Sequence, residues 1–351
     1  MVQNTNDPTV GYARARRDLG CRYTIGFYDR KPEEDRRHAL RVTCRRAGVH
    51  LLHADLYSFP SVAERRKMAV QAAYLVPEMY EGGGMRAHVF PLQPKDATTW
   101  HALVAVDFPV PIARRKDATS RREFGVVLQR GSDIAHTFHR SITLQSTGEG
   151  EGTIERRITF LEPATIRPGH YVVTAVLSDP QSDKPFTSKV EISVPEIPKR
   201  DAFLTGPILG RRSGDDVVVY GRRDEGGVPA DHVGNRTSFR PLLVSEVSRD
   251  QPLAALTHAC VVKPRRGGGP WVAARTLLTE GGSVGGAVPD IEFARDGKDT
   301  VQCRRLFDEL PVGALRLGRY TFQATLARAG LAAAETRQVP IALVGIAAAH
   351  P

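Results

Sequence analysis

Beyond residue 85 apolar and polar residues alternate with a period of two, the spacing of strands with one face buried. The pattern predicts strands over residues 86–91, 101–110, 123–129, 134–144, 153–160, 170–177 and 188–194, separated by Pro, Gly, Asp and Ser turns. Within 101–110, Leu103, Ala105 and Asp107 face opposite to Val104, Val106 and Phe108, while Tyr171, Val173, Ala175 and Leu177 form one apolar stripe. Short strands in close succession without intervening helices are the pattern of an antiparallel β-sandwich. After a hinge at Pro195, Pro198 and Lys199, a second set is expected over 202–209, 216–220, 253–262, 271–278, 289–294, 320–326 and 339–344. Residues 210–235 and 267–286 read as loops rich in glycine and charge.

The first 84 residues read differently. Residues 11–20 suit a short helix closed by Gly20, and 22–28 a strand with Tyr23, Ile25 and Phe27 on one face. A polar turn leads to a strand over 38–45, with Leu40, Val42 and Cys44 on one face and Arg41 and Arg45 on the other, and then to a third short strand over 49–54. Such a unit is small for independent stability and reads as a fragment of something larger. Pro60 and Ser61 open a helix over 62–75, with Val62, Ala69, Ala72 and Val76 at helical spacing and Arg65, Arg66 and Lys67 turned away, ended by Pro77 and the glycines 82–84.

One stretch echoes another. Gly169-His-Tyr171-Val-Val-Thr-Ala175-Val-Leu177 aligns without a gap on Gly318-Arg-Tyr320-Thr-Phe-Gln-Ala324-Thr-Leu326, 149 residues later. Gly would end a turn and Tyr would pack at the corner where a strand enters its sheet, as a tyrosine often does in immunoglobulin-like sheets.

Residues 22–28 (RYTIGFY), the charged turn after them and residues 38–45 (HALRVTCR) resemble the end of the bacterial VWFA-related domain proteins. Residues 161–179 (LEPATIRPGHYVVTAVLSD) and 190–195 (VEISVP) resemble the segment that follows that domain, with Glu196 where the family pattern has Asp. The resemblance covers about half the chain and implies a small α+β remnant of a VWA-type domain at 1–60; with the helical linker at 61–84 and the alternation beyond it, the expected protein is mainly β, with immunoglobulin-like sandwiches at 85–196 and 197–351. Divalent metal in a VWA domain needs the convergent oxygens of an Asp-x-Ser-x-Ser loop, which this sequence lacks, so that site carries over to no residue. Either the gene product is truncated or an upstream VWA-containing polypeptide supplies the rest. The resemblance also implies an envelope or secreted setting, although residues 1–7 show no basic head leading into an apolar core and so predict no export signal.

At 351 residues, 41% hydrophobic and 25% charged, the chain has the length for two or three globular domains and the composition of neither a disordered nor a collagenous one. No apolar run is long enough for a membrane span. Four cysteines, Cys21, Cys44, Cys260 and Cys303, are too dilute for a disulfide scaffold and match no zinc spacing, so they read as thiols.

The net charge of +10 is concentrated: residues 14–46 hold eleven basic and five acidic side chains. Arg14, Arg17, Arg41, Arg45 and Arg46 are therefore the candidates for contact with an anion or a partner. Nucleic acid is not the expected occupant, because no helix-turn-helix, RRM or zinc pattern accompanies the cluster and no aromatics interleave it.

Catalytic motifs are incomplete. Gly281-Gly-Ser283-Val-Gly285 matches the hydrolase G-x-S-x-G pattern, but no helix is expected after the serine. His136 and His139 would point to opposite faces of one strand. Asp296-Gly-Lys-Asp299 with Glu292 reads as a turn rather than a calcium loop. Arg265-Arg266 before three glycines lacks the Walker spacing, and Asn235-Arg-Thr237 only formally permits glycosylation. The leading expectation is a non-enzymatic interaction or structural protein with a protein partner and no cofactor. The alternatives are a polyanion binder acting through the Arg cluster and a hydrolase drawing on loop residues 210–300, such as Ser283 with His258 or His232.

Overall fold

The computed structural model describes residues 37–46, 48, 51, 53–114, 119–145, 152–179, 184–212, 217–220, 239–243, 246–262, 270–293, 301–329 and 333–345. The chain divides into two units, residues 1–65 and 66–351. In the first, strands β1 (Arg37–Ala39) and β2 (Leu56–Ser58) pair antiparallel, with His38 stacked on Tyr57 at 5.0 Å. The strand expected over 38–45 stops at Ala39, and Arg41 to Arg45 follow as irregular chain, so Arg41 and Arg45 do not share a strand face. The described residues of 49–54 are not strand; the pairing falls a few residues later, on β2. The helix and strand expected over 11–28 lie outside the described residues.

Helix α1 (Val62–Leu75) forms where expected, but its buried side is not the expected one. Ala73 is fully buried, whereas Val62 and Val76 are exposed. Tyr74 lies on the strand beyond: a Cβ added at Gly125 would stand 2.1 Å from the Tyr74 hydroxyl, so only glycine admits it there. A 3-10 turn, Pro77–Tyr80, follows the helix.

The larger unit is mainly β. Its strands are β3 (Arg86–Pro94), β4 (Trp100–Ala113), β5 (Thr119–Arg130), β6 (Asp133–Gln145), β7 (Thr153–Ile166), β8 (Gly169–Ser178) and β9 (Phe186–Val194). There follow β10 (Ala202–Arg212), β11 (Val217–Tyr220), β12 (Phe239–Pro241), β13 (Glu246–Ser248), β14 (Leu253–Val261) and β15 (Trp271–Thr279). The last four are β16 (Val284–Phe293), β17 (Gln302–Leu310), β18 (Gly318–Arg328) and β19 (Ala333–Val344). They form four sheets, ordered β6-β5-β8-β9, β11-β7-β4-β3, β12-β10-β14-β17 and β13-β19-β18-β15-β16. These are named here, in that order, the first to the fourth sheet.

The first and second sheets enclose one core, in which Val104, Val106 and Phe108 of β4 meet Phe124, Val126 and Leu128 of β5 and Val173 and Ala175 of β8. The third and fourth enclose another, around Ala255, Leu306, Leu277, Phe322 and Ala324. Strand for strand the two bodies repeat: β3-β4-β7 against β6-β5-β8-β9, then β10-β14-β17 against β16-β15-β18-β19. The sequence echo falls on equivalent strands, β8 and β18. Tyr171 and Tyr320 are both buried, and each hydroxyl donates to the carbonyl four residues upstream, of Arg167 at 2.7 Å and Arg316 at 2.9 Å.

The second and third sheets also pack on each other. Leu92, Leu103, Ala105 and Leu161, on the outer face of the second sheet, bury against Ile208, Phe239, Ala254 and Leu256 of the third. Each fully buried leucine contributes about 1.5–3 kcal/mol of hydrophobic stabilisation. These two sheets are thus covered on both faces, which is why β14 is buried at every position and β4 at most of them. Two glycines permit the close approach. Gly206, at φ +82°, sits in a bulge of β10 where a Cβ would come 2.8 Å from the Leu256 carbonyl, and Gly210 lies under the Phe239 ring. Strand β11, although it follows β10 in the chain, pairs parallel with β7 of the second sheet before β12 returns to the third.

Three further features depart from the sequence pattern. Strand β17 was not expected, and neither were the short β12 and β13. The loop expected over 267–286 is, from residue 271 on, the strand β15 expected over 271–278 and the hairpin turn into β16. Cys260 and Cys303 are a disulfide joining directly opposed positions of β14 and β17, and Cys260 packs with Trp100 and Phe203 against the core of the first body. Cys44 is an exposed thiol, and Cys21 lies outside the described residues.

Candidate functional site

Burying a charge is costly unless hydrogen-bonded partners offset it, and here such partners cross the sheet interfaces. Asp107, on the outer face of β4, accepts from Arg157 Nε at 3.1 Å and Nη2 at 2.7 Å, from the Thr159 hydroxyl at 3.2 Å, and from Arg240 Nη2 of the third sheet at 2.9 Å. Arg275 and Asp308 form a two-point pair across the second core, both bonds at 3.0 Å, with side chains 1% and 3% exposed. Glu162 pairs with Arg140 from the facing sheet. Each of these carboxylates is occupied by structural donors.

Two adjoining cavities of about 300 and 490 Å³ lie between β3, the last strand of the second sheet, and β10 of the third. His88 and Phe90 of β3, with ring centroids 4.5 Å apart, line both, as do Pro207 and Ile208 of β10. Burial of the His88 ring holds its pKa below the usual imidazole value, which favours the neutral form. Trp100 backs the smaller cavity, its indole N–H donating to the Pro195 carbonyl at 2.8 Å. Leu242, Leu243 and Pro340 wall the larger one. The charged groups in the lining are Arg86, Lys189, Arg337 and Glu196. Lys189 pairs with Glu78 at 2.6 Å, a bond that raises the lysine's pKa and lowers the glutamate's, and Arg337 pairs with Glu335 at 2.7 Å.

This groove was not foreseen. The available signal was that β3 alternates Ala87 and Val89 inward with His88 and Phe90 outward, so that its outward face carries rings where a solvated sheet would carry polar groups.

Of the arginines singled out from the sequence, Arg41, Arg45 and Arg46 are exposed on irregular chain, and Arg14 and Arg17 lie outside the described residues. Ser283 ends the hairpin turn between β15 and β16, where the Thr279 N–H donates to its carbonyl at 2.8 Å, and a strand rather than a helix follows. That geometry is not a nucleophile elbow. His258 is buried in β14, and His232 lies outside the described residues. His136 and His139 alternate across β6, the first half-buried near Phe138 and the second exposed. Glu292 is exposed on β16, while Asp296, Asp299, Arg265, Arg266 and Asn235 fall outside the described residues. Among the described residues no three His, Cys, Asp or Glu side chains gather as a metal site, and no helix is long and apolar enough to cross a membrane.

No family model matches the chain, and no curated protein matches it. Solved structures that it resembles include a transglutaminase from red sea bream, at 9% identity over 78% of this chain and 33% of that one, with a TM-score of 0.20. Another is described as a β-galactosidase from Bacteroides fragilis, at 9% identity over 73% of this chain and 35% of that one, with a TM-score of 0.23. The chain spans about a third of the length of these structures, and scores this low carry no argument about fold or function.

Proposed function

We propose that the chain is a non-enzymatic interaction or structural protein of VWFA-related type, in which two immunoglobulin-like β-sandwiches form one stiff body that presents edges and loops to a protein partner. The observation that carries this reading is the packing of the second sheet on the third, with a shared apolar core and the Asp107–Arg240 pair across it. Modules joined by a flexible linker move independently, whereas modules that share a core hold their binding surfaces at a fixed spacing. The repeated tyrosine corner supports the immunoglobulin-like assignment. The Cys260–Cys303 disulfide suits an oxidising compartment and thus an envelope or secreted setting. The test is cross-linking and affinity capture with the full chain, against a heat-unfolded control. A specific protein recovered at stoichiometric yield is expected, and recovery of none above the control would sink the reading.

A second reading rests on the exposure of Arg41, Arg45 and Arg46, which would let the amino-terminal unit hold a polyanion. Counterion release then predicts heparin retention that falls steeply with salt. Retention insensitive to salt would remove it.

A further inference from the structure

The larger cavity has a feature that a sheet face cannot produce. Arg86, Ala87 and His88 are consecutive and all line it, as are Ser188, Lys189 and Val190. Because successive side chains of a strand point to opposite sides, a wall made of consecutive residues is a strand edge with its backbone turned toward the space. The sheet orders agree: β3 ends the second sheet and has no ladder partner on its far side among the described strands, whereas β9, which ends the first, is bridged there from Thr187 to Glu81. Pro91 interrupts the donors of β3 and bounds the usable edge to Arg86–Phe90. An edge that ends in solvent is commonly blunted by charge or covered, whereas this one runs beside an apolar floor of Phe90, Pro207 and Ile208.

We infer that the groove binds an extended peptide segment of a partner protein, which adds as a strand to the free edge of β3, with apolar side chains on the Phe90 and Ile208 floor and an acidic one farther along the same face at Arg86. The inference deepens the interaction reading above and rests on it. Main-chain hydrogen bonds to the edge supply sequence-independent affinity, and the floor selects an apolar residue at every second position. The charge of the occupant follows from Arg86 of the larger cavity, because the other cations of the lining sit among carboxylates, Lys189 with Glu81 and Glu191 near it as well as Glu78. Lys189 and Arg337 already hold an acidic neighbour, while Arg86 holds none among the described residues, so Arg86 is the principal anchor for a carboxylate.

The test uses three acetylated nonapeptides titrated into the isotope-labelled full chain: one with valine at positions 3, 5 and 7, glutamate at positions 1 and 9 of the same face and serine between, its counterpart with lysine at positions 1 and 9, and the glutamate peptide with alternate backbone nitrogens methylated on the pairing side. Saturable amide shifts confined to Arg86–Phe90 and Ser188–Val190 are expected for the first peptide. The lysine peptide should bind at least tenfold more weakly, and methylation should abolish the shifts. Exchanging charge with Arg86→Glu, at an exposed position that holds no acidic partner among the described residues, should reverse the preference. No saturable binding at millimolar peptide, shifts centred elsewhere, or equal binding of the glutamate and lysine peptides would each overturn the inference. The charge-exchanged chain then enters the capture experiment described above. If it recovers the same partner undiminished, the groove assignment fails and the interaction reading stands; if the native chain recovers none, the interaction reading fails whatever the peptides do.

Discussion

Tyr171 and Tyr320 each close a strand entry with one hydrogen bond from a buried ring to a carbonyl four residues back. Replacing either by Phe removes the donor, leaves the carbonyl in a tight turn, and should cost about 1 kcal/mol in a denaturant titration. Equal losses at both positions would show that the corners are energetic as well as geometric equivalents. Asp96 is a second local device. It accepts from both the hydroxyls and the N–H groups of Thr98 and Thr99, and the Thr99 hydroxyl bond leads the causes that lower its pKa from 3.8 to about 2. With the folded value below the unfolded one, its stabilisation is present above pH 3.8 and is lost as pH falls toward 2. Thermal unfolding of Asp96→Asn should therefore vary less with pH across that interval than the native chain does. At this scale the tyrosines were legible, because a repeat is visible in sequence without any knowledge of contacts. Asp107 was legible only as one member of an alternating set. Its partner Arg240 lies 133 residues away, and no local pattern pairs them.

Strands that alternate cleanly, such as β6 and β18, were readable because one face meets a core and the other is more open to water. Strand β17 was missed for the opposite reason. Its inward series Leu306, Asp308 and Leu310 contains a carboxylate that only the buried Arg275 makes tolerable, so the apolar alternation is broken in the sequence and restored in the structure. The near-continuous apolar runs of β4 and β14 carried a signal that was not used: a strand apolar on both faces announces a second cover. The disulfide belongs to this scale too. Cys260 and Cys303 oppose each other across a strand pair, a relation invisible until β17 is recognised. Converting both to Ser should lower stability by about 2–4 kcal/mol, measured as a lower denaturation midpoint with a steeper slope, because the released denatured chain exposes more surface. An unchanged slope would place the loss in the folded state instead.

For the larger unit as a whole, the shared core predicts cooperative unfolding of residues 66–351. Calorimetry should show one transition for this unit, although it is large enough to hold two independently folding domains. Asp107→Ala leaves Arg240 and Arg157 facing a buried gap at the junction, should cost about 3–5 kcal/mol, and should split that transition in two. A native chain that already melts in two steps would mean the junction is weaker than its burial implies.

Strand β11 gives the polypeptide a schedule as well as a shape. A segment that belongs to the later half of the chain completes the border of a sheet laid down in the earlier half, alongside β7. During synthesis that border, and the greasy outer surface of the same sheet, emerge from the ribosome dozens of residues ahead of the pieces that conceal them. Nascent chains halted before residue 217 should consequently be captured by holdase chaperones, and the full-length chain, in which β15, β16, β18 and β19 also conceal the far face of the third sheet, should not.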